Sequence, residues 1–249
     1  MTTILLIGGS DSSCGAGLFA DHETLHDLAA DAKTIITSVT AQSNDRFFGS
    51  YDMPIDNLES QIQSVKNETF DSVKIGMLPN PDSVYLVGAF LSTLNKKKVI
   101  LDPVLQSSSG ANLCTTDTIA AIKEVLFPLA DLVTPNLPES KILLDEEQGC
   151  PKDIVEIASS CMKFIPHSIL LKGGHLAGAI CRDVFIENGV SPVTFQREKI
   201  KGGTSVRGTG CRLATSIAYY FSLTDNLKSA VSQGIDYLQV YMGRKLRTC

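Results

Sequence analysis

Two glycine-rich segments lie near opposite ends of the chain. The first is Gly8-Gly9-Ser10-Asp11-Ser12-Ser13-Cys14-Gly15-Ala16-Gly17, directly after the apolar run Ile4-Leu5-Leu6-Ile7. Its four glycines let backbone approach a ligand closely. No Lys-Ser or Lys-Thr follows Gly15, so this is not a Walker A loop, and the spacing is not that of a Rossmann fingerprint. Taken alone it reads as a tight strand-to-helix turn with Ser13 or a neighbour as helix cap. The second segment is Gly202-Gly203-Thr204-Ser205-Val206-Arg207-Gly208-Thr209-Gly210-Cys211, which opens a long periodic stretch. Uncovered N–H groups at a helix start, with the helix dipole behind them, form an anion site. Such donors suit charge developing on a transferred phosphoryl group. A plain glycine turn before a helix is again the alternative. Cys211 is the discriminating residue: a buried structural Cys is the commoner role, yet a helix N-terminus lowers a thiol's pKa. Two such turns in one chain suit a two-substrate site, phosphate at one and acceptor at the other.

Acidic and basic residues fall between them. Asp102-Pro103 follows one apolar run and Thr134-Pro135-Asn136-Leu137-Pro138-Glu139 the next. Carboxylates at strand ends can hold Mg²⁺ indirectly, through its retained waters. By itself Glu139 reads as a first-turn helix charge after Pro138. Leu170-Leu171-Lys172-Gly173-Gly174-His175 brings a lysine out of an apolar run onto two glycines, where it could neutralise polyphosphate. The plainer reading is a surface lysine at a strand end.

The elements that must position these residues alternate. Strands are expected at 3–7, 34–40, 72–75, 99–101, 132–134 and 168–171, with helices at 15–29, 55–68, 81–94, 117–127, 138–145 and 152–164. Strand–helix alternation with near-continuous apolar strands means a parallel sheet covered by helices on both faces. The pattern then breaks. Residues 180–187 and 192–200 read as a hairpin around Asn188-Gly189, and helices follow at 209–222 and 225–242. In open α/β sheets ligands sit at the carboxyl ends of strands. The loops 8–17, 42–44, 76–77, 102–110, 136–139 and 172–175 should therefore converge. No linker or repeat interrupts the chain, so residues 1–249 are expected to form one domain.

Composition narrows the function classes. Net charge is −5 and the longest basic run is Lys96-Lys97-Lys98, expected to be a solvated turn, so nucleic-acid binding has no electrostatic footprint. No apolar stretch approaches the ~20 residues that span a membrane. The apolar start is too short and uncharged for a signal peptide. Seven scattered Cys without a CxxC pair, and four isolated His, point to reduced thiols in a cytoplasmic protein and away from a zinc site.

Seven motifs then fall in order: Gly9-Ser10-Asp11-Ser12-Ser13-x-Gly15-Ala16-Gly17, Thr40-Ala41-Gln42, Lys74-Ile75-Gly76-Met77-Leu78, Asp102-Pro103-Val104, Thr134-Pro135-Asn136-Leu137-Pro138-Glu139, Lys172-Gly173-Gly174-His175 and Gly208-Thr209-Gly210-Cys211. Each alone is weak, but the set in register resembles the hydroxymethylpyrimidine/phosphomethylpyrimidine kinases over roughly residues 4 to 242. The resemblance implies a ribokinase-like α/β fold, a three-layer α/β/α sandwich around a mostly parallel sheet. It implies two ATP-dependent steps of thiamin biosynthesis, from hydroxymethylpyrimidine to its monophosphate and then to the diphosphate. It also implies Mg²⁺ and, in many members, a homodimer. Under it Gln42 hydrogen-bonds the aminopyrimidine, and Gly9, Asp11, Met77 and Val104 line that pocket. Gly208, Thr209 and Gly210 form the oxyanion hole, with Cys211 as base. Asn136, Lys172, Gly174 and Thr204 fall on the ATP side, and Asp102 and Glu139 organise Mg²⁺. The chain departs from the family pattern at Cys14, where Gly is usual, and at Phe19, where Gln is. Val206-Arg207 replace Thr-His, Gln106-Ser107-Ser108 lacks a Lys, and the chain stops at Cys249 without the family's Gly- and His-containing tail. A pyridoxal kinase of the same fold and a catalytically silent pyrimidine-binding protein are the alternatives. Gln42 and Cys211 favour the pyrimidine over pyridoxal, and the retained 208–211 turn with Glu139 favours an active enzyme.

Overall fold

The apolar run at the amino terminus is buried on both faces. Leu5 and Ile7 pack into one core, Ile4 and Leu6 into a second, as the two-residue period of a strand requires. Leu101 and Ile100 divide in the same way, as do Leu171 and Leu170. Strands buried on both sides belong in the middle of a helix-covered parallel sheet. The computed structural model describes residues 1–43, 46–94, 98–106, 110, 112–145, 153–174 and 176–247.

Among the described residues, nine strands join one sheet: β1 (Thr3–Asp11), β2 (Asp31–Gln42), β3 (Phe47–Asp52), β4 (Ser72–Ile75), β5 (Lys98–Leu101), β6 (Leu132–Val133), β7 (Ser168–Leu171), β8 (Ile180–Glu187) and β9 (Val193–Glu198). Their spatial order is β3-β2-β1-β4-β5-β6-β7-β8-β9. The run from β2 to β7 is parallel. β3 adds antiparallel at one edge and the β8–β9 hairpin antiparallel at the other. Helices α1 (Gly17–Asp27), α7 (Thr209–Leu223) and α8 (Leu227–Arg247) cover the face that holds Ile4 and Leu6. Helices α2 (Ile55–Val65), α3 (Pro81–Thr93), α4 (Thr116–Ala121), α5 (Leu137–Leu144) and α6 (Ile154–Cys161) cover the face that holds Leu5 and Ile7. This is the expected three-layer sandwich. Among the described residues no helix is long and apolar enough to cross a membrane.

Local chemistry sets several boundaries. α3 and α5 each start at a Pro-containing first turn with a reciprocal cap, Asn80 with Ser83 and Asn136 with Glu139. Gly189 (φ 79°) makes the hairpin turn. Other expectations need correction. β1 runs on to Asp11 rather than ending at Ile7, because its pairing with β2 continues past a register shift at Gly8/Gly9. β3 has no counterpart in the sequence reading. The helix expected at 117–127 loosens after Ala121 into a π-helical turn (Ile122–Leu126) and a 3-10 turn (Phe127–Leu129) containing Pro128, which removes a backbone donor. Ser13 does not cap α1: the capping position is Ala16, without a side-chain bond. Lys98 is no turn residue. It begins β5, and its Nζ donates to Phe221 O and Thr224 O at 2.7 and 2.6 Å. Lys96 and Lys97 lie outside the described residues.

Candidate active site

Chain order reverses beside β1, whose neighbours are β2 and β4. Such a switch point leaves a crevice at the carboxyl ends of the strands. A cavity of about 650 Å³ opens there, the size of an ordinary small-molecule site. Every site residue singled out from the sequence lines it, from Gly9 and Asp11 through Cys211. Asn44, Ser107, Ser108 and His175 lie outside the described residues.

One side of the cavity is built by the turn after β1 and the end of β2. Asp11 is buried, and its carboxylate accepts from Ser13 N and Ala16 N at 3.0 Å each and from Arg207 Nη2 at 3.0 Å. Asp11 thus organises its own turn as well as facing the cavity. Gly9 permits a close approach, since a Cβ there would lie 2.8 Å from Ser38 Oγ and 3.2 Å from Met77 Sδ. Gln42 is tied down through its backbone N–H, which donates to Ser12 Oγ at 3.0 Å. Its side-chain amide has no partner among the described residues and lines the cavity. Val104 lines the same cavity.

The 208–211 turn needs its glycines. Gly208 takes φ 68°, and a Cβ there would lie 2.4 Å from Gly15 O, so the two glycine-rich turns pack directly on each other. At Gly210 a Cβ would lie 3.1 Å from Lys172 Nζ and 3.5 Å from Asp102 Oδ2. α7 therefore presents Thr209, Gly210 and Cys211 as its first turn toward a charged floor. One expectation is overturned here. The helix start does not lower the Cys211 thiol: burial pushes it up to about 11, against the opposing Lys74 charge and a hydrogen bond from Gly17 N–H.

That floor holds more charge than the sequence disclosed. Lys172 Nζ bonds Asp102 Oδ1 at 2.7 Å, and Thr134 Oγ1 donates to the same oxygen at 3.0 Å. Glu139 is buried and accepts from Asn136 N at 2.7 Å, while Asn136 Oδ1 accepts from Glu139 N at 2.8 Å. Burial raises the Glu139 carboxyl to about 7, Lys172 opposes this and the Asp102 charge adds to it. Missed altogether was the pair Lys74–Asp21, 2.7 Å apart, with Thr215 Oγ1 donating to Asp21 Oδ1 at 2.7 Å. Both side chains are almost wholly buried under Cys211. The only sequence signal was a lysine between Val73 and Ile75 in an apolar strand.

Among the described residues no group of three or more His, Cys, Asp or Glu side chains could cage a metal ion. Two buried carboxylates beside one lysine fit a divalent cation that arrives with a nucleotide and keeps its waters. On the hairpin side Arg197 pairs with Asp183 at 2.6 Å, Gly173 N donates to Asp183 Oδ1 at 2.8 Å, and Lys199 Nζ donates to Leu176 O. Gly174 and Thr204 line this end, Thr204 within a short 3-10 turn.

Residues 11–248 match the family described as phosphomethylpyrimidine kinase. The chain belongs to that family. It is 31% identical over 235 residues to the hydroxymethylpyrimidine/phosphomethylpyrimidine kinase of Aquifex aeolicus, covering 94% of this chain and 91% of that one. It is 32% identical to the thiamine biosynthesis bifunctional protein ThiED of Geobacter sulfurreducens, where 95% of this chain spans 48% of the relative's length. The chain thus spans about half of some relatives it matches and nearly all of others. Among solved structures, the phosphomethylpyrimidine kinase of Clostridium difficile superposes with TM-score 0.82 at 28% identity, covering 97% of this chain and 100% of that one. An ADP complex of Bacillus subtilis pyridoxal kinase superposes with TM-score 0.82 at 25% identity, covering 95% and 89%.

Proposed function

We propose that the protein is an ATP-dependent kinase of 4-amino-5-hydroxymethyl-2-methylpyrimidine, acting on the alcohol and then on its monophosphate to give the diphosphate, in thiamin biosynthesis. The observation that carries this reading is the place of the 208–211 turn. It lies between the proposed acceptor end, with the Gln42 amide that has no partner among the described residues, and the floor of Lys172, Asp102 and Glu139. Family membership supports the substrate, and the ADP complex of the Bacillus kinase supports the nucleotide.

In this reading Gln42 donates to and accepts from the aminopyrimidine edge, which needs both functions from one side chain. The hydroxymethyl oxygen then attacks the γ-phosphorus. An O–P bond forms as the bond to the ADP oxygen breaks, and the hydroxyl proton goes to the sulfur of Cys211 in its thiolate form. N–H groups of the 208–211 turn and the Lys172 ammonium face the charge that develops. Asn136, Gly174 and Thr204 hold the nucleotide side. Mg²⁺ bound with the nucleotide, organised by Asp102 and Glu139, would supply neutralising charge to the phosphate oxygens. Residues 1–249 act as one kinase domain, and the free thiols of Cys14, Cys114, Cys181 and Cys211 fit a reducing cytoplasm.

A coupled ADP-release assay tests the reading. Hydroxymethylpyrimidine, its monophosphate and pyridoxal are compared at saturating Mg·ATP. Turnover of both pyrimidines above pyridoxal is expected. Turnover of pyridoxal alone would move the chain to the pyridoxal branch, and no turnover with retained pyrimidine binding would make it a silent binder.

A further inference from the structure

The second step poses an electrostatic problem that the first does not. The alcohol is neutral, whereas its monophosphate carries close to two negative charges at neutral pH. It must enter a site already holding ATP phosphates and the Asp11 carboxylate. Among the described residues, four other Lys and Arg side chains line the cavity, and none serves the acceptor end. Lys74 is held by Asp21 and Lys172 by Asp102. Arg197 pairs with Asp183, and Lys199 with the Leu176 carbonyl.

Arg207 is the exception. It precedes Gly208, yet its guanidinium crosses to the acceptor turn. Nη2 donates to Asp11 Oδ2 at 3.0 Å, and Nη1 donates to Ser13 Oγ at 2.5 Å and to Ser43 O at 3.3 Å. It therefore touches the turn after β1 and the end of β2 beside Gln42, while its own backbone belongs to the phosphoryl-facing turn. Its side chain is 15% exposed. A guanidinium has five N–H donors; those contacts use three, leaving Nε and one Nη2 hydrogen unpartnered among the described residues. A planar fork of this kind matches phosphate, which it can take through two parallel hydrogen bonds.

We infer that Arg207 is the specificity-determining residue that admits a phosphorylated acceptor, one edge of its guanidinium holding the Asp11 turn and the other taking the phosphate of the monophosphate. The inference rests on the kinase reading above and deepens it. The neutral alcohol needs no such contact, so Arg207 separates the two steps.

The test is a specificity ratio. kcat/KM is measured for the alcohol and for the monophosphate in the wild-type protein, Arg207→Gln and Arg207→Lys. In Arg207→Gln the ratio of monophosphate to alcohol falls by about tenfold to a hundredfold, the scale of hydrogen bonds to charged groups. In Arg207→Lys, which keeps the charge and loses the fork, it falls by about threefold or more. Equal losses on both acceptors would leave Arg207 a strut between the two turns and overturn the inference, as would an unchanged ratio. Equilibrium dialysis of the monophosphate without ATP, on the same proteins, gives a second readout. At least about tenfold weaker binding is expected in Arg207→Gln. Unchanged binding, or no binding by the wild-type protein, overturns the inference even where turnover is absent. Absent wild-type turnover with Arg207-dependent binding would instead sink the kinase reading alone. If Arg207→Gln does not fold, Arg207→Lys decides by the same ratio.

Discussion

Cys211 carries a tension between place and task. A base must lose its proton to act, yet burial pushes this thiol up to about 11. Two groups oppose burial: the Lys74 ammonium, anchored by Asp21, and the Gly17 N–H at the start of α1. In the proposed step the active form is the thiolate, so turnover limited by this proton should rise with pH from neutrality. Cys211→Ser keeps the shape with a far weaker base, so kcat is expected to fall at least about tenfold with pyrimidine KM roughly preserved. A near-native kcat would leave the 208–211 turn working through its backbone alone, as a positioning view of phosphoryl transfer allows. Gln42→Leu is expected to lower kcat/KM for the pyrimidine by about tenfold or more, by leaving ring groups unpaired in a closed site, with ATP affinity unchanged. An unaltered pyrimidine KM and kcat/KM would remove Gln42 from the recognition step. Most of these residues were legible because their types are unusual at strand ends. Lys74 and Asp21 were not. A buried pair from β4 and α1 is closed only by the fold, and neither residue has a local neighbour in the chain that betrays the other.

At the scale of elements, the sequence pattern located every strand but β3 and all eight helices among the described residues, with β1 read too short and the helix at 117–127 too long. Capping chemistry explains the sharp starts at Asn80 and Asn136. β3 was hidden for a physical reason. Phe47-Phe48-Gly49-Ser50-Tyr51-Asp52 is an edge strand with exposed Phe48 and Tyr51 and a glycine inside, so no buried alternation marks it. The two-glycine corner after β7 is set by backbone contact. A Cβ on Gly173 would lie 1.8 Å from Arg182 O on β8. Gly173→Ala must therefore push β8 away from β7, and a loss of about 1–3 kcal/mol or more is expected in urea unfolding. Gly174→Ala has open space around its Cβ and serves as the contrast. Equal stability of the two variants would show that the corner yields without cost.

Over the whole molecule, stability and the site are linked through Glu139. Its carboxyl titrates near 7 when folded, against an ordinary 4.5. A raised folded value means that the native state holds the proton more tightly than the unfolded chain. Stability from this group is full below about pH 4.5 and declines as pH rises through 7. Relative to Glu139→Gln, which can still accept from Asn136 N–H, the wild-type protein should lose about 2–3 kcal/mol between pH 4.5 and 8 without metal or nucleotide. Parallel stability–pH curves for the two proteins would refute this. The sheet itself carries a consequence for the order in which the chain is made. The strands' second face, with Ile4, Leu6, Ile100 and Leu170, is covered largely by α7 and α8, the last elements of the described chain. Ser72 Oγ on β4 also waits for Ala218 O on α7. A chain emerging from the ribosome therefore leaves much of this apolar face covered by α1 alone until residue 209 and beyond have been added. The same helices bring Cys211, so the cover for this face of the sheet and the 208–211 side of the cavity arrive together.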